Sequence, residues 1–100
     1  MSTSWDALVE TVTARHPDLK PGQMFGMPCV KRDTGKVVFG RWHDDVVFKL
    51  TDVDARTRAL ALAGAGLFDP GMGRTMKEWV LVPAAHAGRW PELAEWALAG

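Results

Sequence analysis

The chain's single cysteine, Cys29, closes the run Met24-Phe25-Gly26-Met27-Pro28-Cys29, and a thiol can serve as nucleophile, soft-metal ligand or redox centre. Each use needs company. A nucleophile needs a base beside it and a lowered thiol pKa, and a metal needs two or three further soft ligands at workable spacing. His16, His43 and His86 fall at a helix end, a turn tip and a loop, where histidine is commonly solvated. The expectation is a buried structural thiol, with no catalytic residue, no metal and no cofactor.

A second stretch, Gly71-Met72-Gly73-Arg74-Thr75-Met76-Lys77, has the ingredients of an anion cradle. Gly71 and Gly73 would let backbone amides approach a phosphate, and Arg74 and Lys77 would add charge. The stretch lacks the phosphate-loop pattern and a helix directly after it, so it reads first as a connector between strands. Asp44-Asp45 falls in a turn, and Asp52 and Asp54 at a helix start, where the helix dipole favours acids. The five methionines are scattered, as gap-fillers would be. Trp5, Trp42, Trp90 and Trp96 fit core periodicities, whereas Trp79 stands among charged neighbours.

The elements that must position these residues are legible as periodicities. Trp5, Leu8, Val9 and Val12 recur on one helical face, predicting a helix over Ser4–Arg15 that His16-Pro17 ends. Pro21-Gly22 reads as a turn. Short runs rich in Val and Phe, broken at Asp33–Lys36 and His43–Asp45, predict a three-stranded meander: Met27–Arg32, Val37–Trp42 and Val46–Leu50. Thr51-Asp52-Val53-Asp54 resembles a capping box before a helix over Ala55–Ala63, which Gly64 stops. Strands are predicted at Leu67–Asp69 and Glu78–Val82, around the Pro70–Thr75 loop, and a last helix from about Trp90-Pro91. The order α-β-β-β-α-β-β-α implies an α+β fold: a two-layer α/β sandwich with an antiparallel sheet and helices on one face.

Strand alternation, with Arg32 set against Val37 and Trp42 against Val46, divides the meander. Met27, Cys29, Lys31, Val38, Gly40, Trp42, Val46, Phe48 and Leu50 form a nearly continuous apolar face, the expected bed for the helices. The other face would carry Val30, Arg32, Val37, Phe39, Arg41, Val47 and Lys49. That set is an apolar centre edged by three cations, the pattern of a partner-binding surface.

Composition sets the outer bounds. One hundred residues make one domain, residues 1–100, able to bury about 60–65% of its unfolded surface. Lys+Arg and Asp+Glu both total 12. Between Lys31 and Lys77 stand nine basic and six acidic residues, net +3, a mild bias beside the patch of a dedicated DNA binder. No run approaches the ~20 apolar residues of a membrane span, and no secretory pattern opens the sequence. Cytoplasmic location is expected.

Two segments carry a family likeness: Met24-Phe25-Gly26-Met27-Pro28-Cys29-Val30-Lys31, and Phe68-Asp69-Pro70 followed by Gly73-Arg74-Thr75-Met76-Lys77-Glu78-Trp79-Val80-Leu81-Val82-Pro83. With Phe48-Lys49 between them, they resemble the N-terminal module of the TfoX/Sxy family over residues 5–99. The resemblance implies a bacterial two-layer α/β domain of the kind found in competence regulators. It implies no catalytic residues, and here a stand-alone module. The resulting expectation is a non-enzymatic regulatory or protein-interaction module, acting as a homodimer through the Phe39 face. The alternatives are a nucleic-acid-associated regulator using Lys31, Arg32, Arg41, Lys49, Arg74 and Lys77, and a small-molecule or anion binder at the Gly71–Lys77 loop.

Overall fold

The computed structural model describes residues 4–24, 26–69 and 76–99. In chain order the elements are α1 (Ser4–Arg15), β1 (Lys20–Met24), β2 (Met27–Lys31), β3 (Val37–Trp42), β4 (Asp45–Lys49), α2 (Val53–Leu60), β5 (Gly66–Phe68), β6 (Met76–Val82), a 3-10 segment (Ala84–Arg89) and α3 (Trp90–Ala99). The strands form one six-stranded antiparallel sheet in the order β1-β2-β3-β4-β6-β5. The α+β class and the antiparallel sheet are as expected.

One strand was not legible. Pro21-Gly22 lies inside β1 and not in a turn: Pro21 stands opposite Val30 and Gly22 opposite Cys29. An edge strand tolerates a proline because one side of it needs no ladder donor. The Lys31 stem passes over Gly22: a Cβ there would lie 2.6 Å from its Cε, a contact that a rotation of the flexible lysine would relieve.

All three helices share one face of the sheet. Leu8 and Val12 of α1, Ala59 of α2, and Trp90, Leu93, Ala94 and Ala97 of α3 close over Val30, Val38, Phe39, Val46, Phe48, Leu50, Val80 and Val82. Trp5 meets Phe39 edge-on at 5.6 Å between ring centres, and Phe39 lies 5.8 Å from Phe48. Asp52 caps α2, its Oδ2 accepting from the Ala55 amide at 2.9 Å, which satisfies one of the free donors of the first turn.

The expected division of the meander is half right, for two local reasons. Cys29 pairs with Gly40 and Val30 with Phe39 as the expected register requires, but Lys31 pairs with Val37, leaving Val38 as an extra residue in a β-bulge. Val38 and Phe39 both therefore reach the helix-side core. The β3–β4 hairpin is also one residue tighter than expected: Trp42 pairs with Asp45, and the turn is His43-Asp44, with His43 at φ 55°. A one-residue slip exchanges the faces of a strand. The face that was expected to receive the helices is therefore wrong for most of β2 and β3, and right for Val46, Phe48 and Leu50 of β4.

Candidate interaction surface

The seven residues expected to make one outward face are split by this geometry. Val30 and Phe39 are fully buried beneath the helices. Arg32 also lies on that side, where its Nη2 donates to the Leu98 carbonyl at 2.9 Å and satisfies a free acceptor near the end of α3. Arg41 pairs with Val46 on the helix side, and its Nε donates to the His43 carbonyl at 2.8 Å. Only Val37, Val47 and Lys49 lie on the helix-free face. As a correction, Val30, Arg32, Phe39 and Arg41 belong to the helix-side layer, because the two-residue turn sets Phe39 against Phe48 and Arg41 against Val46, while the bulge at Val38 parts Val37 from them. Arg32→Gln is expected to cost about 1 kcal/mol in urea unfolding, as a charged donor to a helix end is lost from a partly exposed site.

The helix-free face has an apolar centre of its own. Met27, Val47, Phe68 and Trp79 are buried together, with Val37, Trp42 and Leu81 half-buried around them. Trp42 meets Phe68 edge-on at 5.1 Å and His43 at 4.8 Å. Trp79, which the sequence placed among charged neighbours, is thus part of a cluster. Gly40 makes the close packing possible: a Cβ there would lie 3.0 Å from Cε of Met27 and 3.3 Å from the Pro28 carbonyl oxygen. Among the described residues, no helix contributes to this second cluster.

Cations gather at one end of the same face. Lys20 stands directly opposite Lys31, and Lys31 opposite Val37. Lys49 follows on β4, opposite Trp79. Around the corner, Arg32, Lys36 and Lys49 line a shallow cleft of about 140 Å³ with Val37, Val38, Thr51 and Ala97. A larger cleft, about 610 Å³, is lined by Thr51, Asp52, Asp54, Ala55, Arg58, Trp96 and Ala99, with both signs of charge on its walls.

Cys29 is buried in the sheet between Gly22 and Gly40, facing away from the helices. Burial pushes its thiol up from the ordinary value, against a smaller downward pull from the Lys31 ammonium. The folded state thus favours the neutral thiol. The associated stability is present below the ordinary thiol value of 9.0 and is lost as pH rises through the elevated one. Wild type is expected to lose urea midpoint above that pH relative to Cys29→Ala, and its thiol to react with a disulfide reagent slowly until denaturant is added.

Two of the three histidines have polar partners. His16 Nε2 lies 3.0 Å from Glu95 Oε2, joining the end of α1 to α3, and His86 Nε2 lies 2.8 Å from the Ala63 carbonyl oxygen. Among the described residues, no group of three His, Cys, Asp or Glu side chains is placed to hold a metal. Of the anion-loop candidates, Gly71, Gly73 and Arg74 lie outside the described residues, and Lys77 is exposed at the start of β6. No described helix is long and apolar enough to cross a membrane. Scans against protein-family models, curated proteins and solved structures return no match.

Proposed function

We propose that the protein is a non-enzymatic interaction module that receives a partner on the helix-free face of its sheet. The observation that carries this reading is the second apolar cluster. Val37, Trp42 and Leu81 are partly buried around the buried Met27, Val47, Phe68 and Trp79, with lysines along one edge. An apolar sheet face with a charged rim is the pattern of a protein-binding surface, whereas a sheet face left to water alternates to polar residues. The chemistry-bearing side chains support the same reading, since the thiol is sealed and His16 and His86 tie elements together.

The likeness to the N-terminal module of TfoX/Sxy regulators, on the Met24–Lys31 and Phe68–Pro83 segments, is part of this proposal and points to a regulatory role without chemistry of its own. The test is a photo-crosslinking amino acid placed at Trp42 or, as control, at Glu10 on exposed α1, in cells that express the protein. A specific adduct from position 42 that is absent from position 10 is expected. No adduct at position 42, or the same adducts at both, would overturn the reading.

A further inference from the structure

Building on the proposed docking role, we infer that the occupant of the helix-free face is an acidic, amphipathic segment of another protein, and not a second copy of this chain or a nucleic acid. Lys20 and Lys31 are placed directly opposite each other across β1 and β2, an arrangement that costs stability because like charges in a cross-strand pair repel. The stem of Lys31 lies across β1 over Gly22. Among the described residues, no carboxylate stands within ion-pair distance of Lys20, Lys31 or Lys49. The row is set up for negative charge that the described residues do not supply.

The rest of the face narrows the occupant. On β4 this face carries one acid, Asp45, whose Oδ1 accepts from the Ala84 amide at 3.0 Å, so a second copy docked face to face would bring more lysines than carboxylates to the row. Asp18 and Asp33 lie in the flanking turns, outside the row. Nucleic acid would offer phosphates, but the face has few ring planes for bases to stack on. Phe68 and Trp79 are buried, Trp42 is half-covered by its edge contacts, and Val37 and Leu81 are aliphatic.

A segment with carboxylates on one side and aliphatic residues on the other satisfies both halves of the surface. Adjacent strands lie ~4.8 Å apart, which sets Lys20 and Lys31 one step apart and Lys49 two steps beyond. Carboxylates at helical i and i+3 or i+4 positions are ~5–6 Å apart and can address that row while apolar residues cover Val37, Leu81 and Trp42.

The experiment is a selection of 20-residue segments from a displayed random library on the whole protein. One recovered peptide, labelled, is then titrated against wild type, the Lys31→Glu/Lys49→Glu variant and Trp42→Ala, each first shown to melt cooperatively. Recovered segments are expected to be enriched in Asp and Glu together with Leu, Ile or Val, and to bind the charge-reversed protein at least about tenfold more weakly. Lys20→Glu should weaken the same peptide while raising the Tm of the free protein, since it removes the like-charge pair. No recovered binder, binders without acidic bias, or equal affinity for the charge-reversed protein would overturn the inference. So would an oligothymidine that competes for the face, in favour of nucleic acid, or a protein mass that doubles with concentration and blocks the peptide, in favour of a second copy. Any of these results alongside a specific adduct from position 42 removes this inference alone; loss of that adduct removes the docking role beneath it.

Discussion

Phe39→Ala is expected to lower the free energy of unfolding by about 3–5 kcal/mol, a fall in Tm of more than about 12 °C for a domain of this size. The side chain is fully buried at the centre of the helix-side core. It touches the edge of the Trp5 ring and the tilted ring of Phe48, so truncation removes transfer free energy and leaves a cavity that two aromatic neighbours cannot collapse into. Val37→Ala, two residues earlier on the same strand, should cost about 1 kcal/mol or less, because Val37 is half-buried on the helix-free face. Thermal and urea unfolding followed by circular dichroism measure both. A small loss at Phe39 would mean that the ring does not lie under the helices.

Trp90→Ala should be comparably damaging, about 3–5 kcal/mol, since Trp90 is the largest fully buried side chain and opens α3 against the sheet. Its companion variant is more informative. The Trp90 indole Nε1 has no hydrogen-bond partner among the described residues, and a buried unpaired donor costs about 1–3 kcal/mol. Trp90→Phe removes that donor while giving up part of the ring volume. The two effects oppose, so Trp90→Phe is expected to stay within about 1.5 kcal/mol of wild type. A loss as large as that of Trp90→Ala would show that the indole N–H is satisfied in solution.

How far the sequence reaches can be judged from these residues. The 3.6-residue periodicity of Leu8 and Val12, the proline after His16 and the Val-rich runs of β2, β3 and β4 were sufficient to place most elements, because each is decided within a few residues. What escaped was decided across strands. β1 hides behind Pro21-Gly22, which reads as a turn and which a strand tolerates here because β1 lies at the edge of the sheet. The His43-Asp44 turn shifts register by one residue and so puts Phe39 on the same face as Phe48 in the core, and the bulge at Val38 leaves Val37 on the opposite face.

His43 carried a faint signal of the tighter turn, since His, Asn and Asp are enriched among non-glycine residues at positive φ. The lysine row carried none. Lys20, Lys31 and Lys49 are 11 and 18 positions apart in sequence and meet only once β1 is recognised as a strand. Trp79 likewise stands among charged neighbours in a short strand until β6 is seen to pair with β4, which brings it to Lys49 and the second cluster.

The most direct measurement is hydroxyl-radical footprinting of the native protein, read residue by residue by mass spectrometry. Trp42 and Leu81 should be oxidised readily, Phe39 and Phe48 only after denaturation. Oxidation of Phe39 as fast as Trp42 in the native state would contradict the assignment of the two faces, and with it the surface on which the proposed role depends.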